Sequence, residues 1–180
     1  VFNEELIIEI KERKNDLYRP MIANVDQVLL INAATKPDFS FLLLDKFLTL
    51  IEANDIKPII IITKIDLLNN IEIESLKSKI NYYEKFYRVI YFSAKTMIGV
   101  NEILEVTKDK VNVLAGQTGA GKSSLLNAID PNLNIETNEI SKALGRGKHT
   151  TRHVELIKFG DGFIADTPGF SKLEFIEYQA

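Results

Sequence analysis

Apolar positions along this chain of 180 residues gather into short β-branched runs separated by longer stretches of helical spacing. The runs QVLLIN (27–32), PIIIIT (58–63), RVIYFS (88–93) and VNVLAG (111–116) are nearly continuous rather than alternating. That is the pattern of strands covered on both faces in a parallel sheet. FSFLLLDKFLTLIEAN (39–54), EIESLKSKINYYEKF (72–86) and GVNEILEVTK (99–108) repeat apolar residues every three or four positions, which predicts crossover helices between those strands. A further helix starts at SSLLNAI (123–129). HVELIKF (153–159) and GFIADT (162–167), joined by the turn GDG, predict a hairpin. The polar stretch from Pro131 to His149 has no period and predicts a long functional loop. LIIEI, within residues 1–13, predicts a strand whose partners lie elsewhere, the tail of a preceding domain. The fold class is α/β, a three-layer sandwich with a mostly parallel sheet.

Composition narrows this picture only a little. At 46% hydrophobic residues the chain can bury one core of ordinary size. Its 22 basic and 25 acidic residues leave a charge of -3, so nucleic acid would be held by a local patch rather than by a whole-protein field. The absence of cysteine excludes disulfides and thiolate metal sites within these residues and is compatible with a reducing compartment. The apolar runs are far shorter than the roughly 20 residues of a membrane span. A soluble, cytoplasmic monomer without membrane contact is expected.

Chemistry enters at residues 114–124, LAGQTGAGKSS. Gly116, Gly121, Lys122 and Ser123 satisfy G-x-x-x-x-G-K-[ST] between a predicted strand and a predicted helix, the context a phosphate-binding loop needs. Its glycines let the backbone N–H groups of Gln117, Thr118, Gly119 and Ala120 curl round phosphate oxygens at a helix start. Lys122 would reach the terminal phosphates, and the Ser123 hydroxyl, beside Ser124, would bind magnesium. IADTPGF (164–170) ends a predicted strand, where Asp166 can hold magnesium through water and Gly169 can sense a γ-phosphate.

TKID (63–66), after the strand PIIII, carries base specificity. Guanine presents two adjacent donors, the ring N1–H and the exocyclic amine, which the Asp66 carboxylate accepts together. Adenine offers neither, and an unpaired buried carboxylate is penalised heavily. Lys64 would lie along the base and brace the phosphate loop, Ile65 fills the motif, and Thr63 stands where Asn is commoner. SAK (93–95) adds Ser93, Ala94 and Lys95 at the next strand end, with the Ala94 N–H aimed at the guanine oxygen. All four signals sit at C-terminal strand ends, where open α/β sheets hold ligands.

Their order is unusual. Base reading precedes phosphate reading, whereas an ordinary GTPase runs phosphate loop, D-x-x-G, base motif, SAK. Cutting that fold after its D-x-x-G segment and joining its last helix to its first strand produces this sequence, a circularly permuted GTPase domain. With that order, GQTGAGKSSLLNAI, GRGKHTTRHVEL (145–156) and DTPGF resemble the ribosome small-subunit-dependent GTPase A family (RsgA, also called YjeQ), over nearly all of the chain from RKNDLYRPMIANVDQ onward.

The resemblance implies an N-terminal OB-fold, a permuted GTPase centre and a C-terminal zinc knuckle acting late in small-subunit assembly, with GTP or GDP and Mg2+ as ligands and the small subunit and its rRNA as partners. Residues 1–16 would then be the remnant of the OB-fold and its linker, and 17–180 the GTPase domain. No zinc ligands of the knuckle are present in this chain. Phe170 stands where Ras-like enzymes often carry a water-orienting Gln. The resemblance makes His149 the water-positioning residue. Thr151, or its neighbour Thr150, would give magnesium a second hydroxyl and order the loop as a switch. Arg146, Lys148, Arg152 and His153 form a basic cluster, either an RNA-contacting face or a solvated switch loop. A small-molecule kinase would share the phosphate loop but not TKID and SAK. A GTP-responsive binding module, or a permuted GTPase of the large subunit, would share the motif order; the large-subunit resemblance does not extend to GRGKHTTR.

Overall fold

The computed structural model describes residues 22–133 and 155–166 and, ahead of them, 2–3, 6–7, 9 and 12–17. Near the N-terminus β1 (Phe2–Asn3) pairs with β2 (Leu6–Ile7), and β3 (Asp16–Leu17) pairs with β4 (Ile22–Ala23), each antiparallel. Of LIIEI only Leu6–Ile7 is described as strand, and it pairs with Phe2–Asn3 of this chain. From there the chain runs β5 (Gln27–Ala33), α1 (Phe41–Glu52), β6 (Lys57–Thr63), α2 (Asn70–Ile80), β7 (Arg88–Tyr91), α3 (Val100–Thr107), β8 (Val111–Ala115), α4 (Lys122–Ile129), β9 (Glu155–Phe159) and β10 (Gly162–Asp166).

One sheet of six strands organises these elements in the order β7-β6-β5-β8-β10-β9. All pairings are parallel except the β9–β10 hairpin, whose two-residue loop starts at Gly160 in the left-handed region, φ +56°. The central strands justify their continuous apolar runs: all seven residues of β5 and all but Lys57 of β6 are buried. On one face Val28, Leu30, Ile60 and Ile62 pack against Leu44, Phe47 and Ile51 of α1. On the other, Leu29, Ile31, Ile59 and Ile61 pack against Ile103 of α3 and Leu125 and Leu126 of α4. The three-layer α/β sandwich expected from the pattern is the observed architecture.

Boundaries shift where side chains intervene. α2 starts two residues before the apolar period suggests, because Asn69 accepts from the Glu72 N–H at 3.0 Å while Glu72 accepts from the Asn69 N–H at 2.8 Å, a reciprocal cap. It ends at Ile80, and a separate single turn at Tyr83–Lys85 follows, with the Tyr83 hydroxyl donating to Asp45 of α1 at 2.7 Å. β7 stops at Tyr91 because Ser93 N–H turns aside to the Ile98 carbonyl, opening the SAK turn.

The rotated order leaves a physical seam at Lys108–Lys110, where α3 runs into β8. Two buried amides hold it. Asn112 donates to the carbonyls of Lys110 (3.1 Å) and Phe163 (3.0 Å) and accepts from Gln27 Nε2 at 2.7 Å. Gln27 Nε2 also reaches the Val106 carbonyl at 2.8 Å, and its oxygen accepts from Lys110 Nζ at 3.3 Å. Gly162 packs so closely here that a Cβ would lie 2.1 Å from the Thr107 carbonyl oxygen. Asn112→Leu keeps the branched outline of the side chain but removes its hydrogen bonds and adds bulk at a buried, closely packed site, so it should lower unfolding free energy by about 2–4 kcal/mol. Urea unfolding checks this, and a loss below about 1 kcal/mol would show that the amides do not hold the seam.

Candidate nucleotide-binding site

β5, β6, β7 and β8 all point their C-terminal ends toward one edge of the sheet, and the sequence motifs follow directly from three of them. Leaving β8, the chain must turn at once round the end of β5. Gly116 makes this possible: at φ +130° it passes so close to Ile31 that a Cβ would sit 2.0 Å from that carbonyl oxygen. Gly119 (φ +79°) and Gly121 (φ +96°) continue the curl, and α4 begins at Lys122 with no side-chain cap. Its first N–H groups thus open into the curl, as an anion site requires.

Lys122 reaches back over this loop, donating to the carbonyls of Gly116 at 2.6 Å and Gln117 at 2.8 Å. Burial pushes its ammonium down to about 8 from the ordinary 10.5. Ser123 is buried behind it, and its hydroxyl has no hydrogen-bond partner among the described residues. Ser124 is half-buried on the next position of α4.

β6 delivers the base motif to the same place. The Thr63 hydroxyl is buried within hydrogen-bonding distance of the Ala120 carbonyl (2.5 Å) and the Asn32 carbonyl (3.3 Å), so it ties the strand end to the phosphate loop. Lys64 adopts the left-handed region, φ +60°, and its ammonium donates to the Gly119 carbonyl at 2.8 Å and to the Lys36 carbonyl. Ile65–Leu67 form a short turn. Asp66 on that turn accepts from the Ser93 hydroxyl at 2.6 Å through one oxygen. Ser93 is fully buried and itself accepts from the Thr96 N–H at 3.1 Å, which directs its proton to Asp66. Ala94 and Lys95 form the turn above it. Asp66 is exposed, not buried as the sequence argument assumed, so a bound base would itself supply the desolvation.

TKID, SAK and the phosphate loop are thus assembled at one end of one sheet. Asp166 ends β10, a strand parallel and adjacent to β8, which places its backbone beside the same edge. His149, Thr150, Thr151, Gly169, Phe170 and the basic cluster lie outside the described residues. Two contributors were missed from the sequence: Asn32 and Lys36 enter through backbone carbonyls, which no side-chain motif announces. Among the described residues no cluster of three or more His, Cys, Asp or Glu could hold a metal, and no helix is long and apolar enough to cross a membrane.

Fold and site together define a circularly permuted P-loop domain, with the base motif carried ahead of the phosphate loop. A sequence model described as RsgA GTPase matches residues 10–176, and the chain belongs to that family. It is similar to the small ribosomal subunit biogenesis GTPase RsgA 2 of Oceanobacillus iheyensis, with 57% identity over 99% of this chain and 61% of that protein. RsgA of Bacillus subtilis is 54% identical over 98% of this chain and 60% of its own length. The crystal structure of YjeQ from Thermotoga maritima superposes with a TM-score of 0.77 at 38% identity, covering 93% of this chain and 56% of that one. That of YloQ, titled a circularly permuted GTPase, gives 0.71 at 46% identity over 93% and 52%. The chain spans about 60% of the length of these curated relatives.

Proposed function

We propose that this chain is the GTP-binding and GTP-hydrolysing centre of a factor for late small ribosomal subunit assembly. The observation that carries the reading is Lys64: its ammonium rests on the Gly119 carbonyl at 2.8 Å, joining the base motif to the phosphate loop in one pocket. Asp66 and Ser93, with the N–H of Ala94, read guanine; residues 116–124 hold the phosphates. Magnesium fits the residues present, because the buried Ser123 hydroxyl is unpartnered among the described residues and stands next to Lys122 at the helix start. Asp166, through water, and Thr151 would complete the ion's protein contacts, and the ion would supply neutralising charge for the triphosphate. His149 orients the attacking water and Gly169 senses the γ-phosphate. Residues 1–16 belong to a preceding OB-fold domain, and a zinc module follows in the whole protein. The relatives' names speak of the small ribosomal subunit, and the basic residues 146–153 suit its rRNA. The protein works in the cytoplasm as a monomer.

GTP turnover measured with purified small and large subunits tests the reading. Small subunits alone should accelerate hydrolysis by the whole protein, and His149→Ala should abolish that acceleration while leaving GTP affinity intact. No acceleration by small subunits would favour a GTP-responsive binding module, and acceleration by large subunits would reassign the partner.

A further inference from the structure

Lys36 takes a conformation its sequence context opposes. It lies at φ +50°, in the left-handed region that side-chain-bearing residues rarely enter, and it precedes Pro37, which further disfavours helical backbone at the preceding position. Such strain persists only where surrounding contacts hold it, and it gathers at binding sites. Here the contacts all lead to the nucleotide pocket. The Lys36 carbonyl accepts from the Lys64 ammonium. The Pro37 ring lies beside the phosphate loop, where a Cβ on Gly119 would stand 3.5 Å from its Cδ, an ordinary van der Waals contact. Ala34 N–H donates to the Thr63 carbonyl at 2.9 Å, anchoring the start of the segment to the base motif. The side chain of Lys36 is exposed, so packing of its stem does not explain its backbone.

We propose that residues 35–37 form a strap that is a third element of the nucleotide pocket, in which the Lys36 carbonyl is a positioning group for Lys64. The inference rests on the guanine-nucleotide reading above and extends it to a segment outside the recognised motifs. A lysine amine has three donors. Two are taken by the carbonyls of Lys36 and Gly119, so the amine of Lys64 ties strap to phosphate loop and fixes the end of a stem that can lie flat along a base. Without the strap the amine keeps one carbonyl and the stem regains rotamer freedom, which a bound nucleotide must then freeze.

The test compares Lys36→Val and Lys36→Gly in the full-length protein, with GDP as the probe and ADP as the control. Val is β-branched and excluded from positive φ, so it pulls the carbonyl away; Gly accepts φ +50° without strain. Lys36→Val should weaken GDP binding at least fivefold, and Lys36→Gly should bind within about twofold of wild type, although both remove the same side chain. Restoration by Gly separates backbone positioning from loss of the lysine charge. Lys36→Ala carries the same unbranched Cβ as lysine and tolerates φ +50° equally, so it should bind GDP like wild type and controls for loss of the side chain whatever Val does to the urea midpoint. GDP affinity equal to wild type in a folded Val variant, or a Gly or Ala variant as weak as Val, would overturn the strap. Wild-type protein binding GDP no better than ADP would instead overturn the guanine reading, and the strap with it.

Discussion

Asp66→Asn is expected to exchange guanine for xanthine as the preferred base. Guanine offers two donors side by side, and the carboxylate answers with two acceptors. An amide answers with one acceptor and one donor, so its NH2 faces a guanine donor and neither group is paired. Losing one charge-assisted hydrogen bond and stranding its partner costs about 3 kcal/mol, roughly a hundredfold in GDP affinity. Xanthine keeps the N1–H donor but carries a carbonyl where guanine has its amine, which is the pattern the amide complements. Ser93 keeps the variant ordered. Its hydroxyl accepts from the Thr96 N–H and donates to Asp66, so in the variant it selects the amide oxygen and fixes which way the group faces. Titration with GDP and XDP checks the exchange. If the variant holds GDP as tightly as the parent, another group reads the base and the guanine pocket is wrongly placed.

How far this site could be read from sequence depended on whether side chains or backbone made it. The phosphate loop was legible because its geometry admits few residues: Gly116 has Ile31 where a Cβ would go, and that demand is written as a glycine. β5 and β6 were legible because burial on both faces imposes unbroken apolar runs, and α1 because the face it buries, Leu44, Phe47, Leu48 and Ile51, recurs at helical spacing. The seam was not. Gln27 and Asn112 stand at strand starts, where polar residues ordinarily mark a turn, and their role as buried amides emerges only when α3, β5, β8 and β10 converge. Lys36 was the least legible, since a residue before proline reads as extended and its contribution is a carbonyl any residue would carry. Rotation itself was legible, because motif order does not depend on tertiary detail, and the sheet order β5-β8-β10 closes the fold as that order required.

Lys122 should make nucleotide binding and stability respond to pH in opposite directions. In the folded protein burial lowers its pKa to about 8, whereas in the unfolded chain it returns to the ordinary 10.5. Between those values the unfolded chain binds more protons, so stability rises with pH across the window from about 8 to 10.5. Below about 8 the amine is charged in both states, and the cost of burying it is fully present. A bound diphosphate reverses the balance by favouring the ammonium, so GDP affinity should be level up to about pH 7.5 and then fall, approaching tenfold per pH unit above the lysine's free-protein value. Lys122→Met retains the stem and removes the charge. It should weaken GDP binding on the order of a hundredfold through loss of the charged hydrogen bonds to phosphate, and flatten the dependence between pH 7 and 9. The nucleotide-free variant should unfold at higher urea than the parent at pH 7, because no buried ammonium remains to be desolvated. Titrations in pH steps with both proteins, paired with urea midpoints, read all three effects. A variant that is weaker in binding and also less stable would mean that the Lys122 contacts to Gly116 and Gln117 hold the loop's shape, and that the amine's charge is secondary.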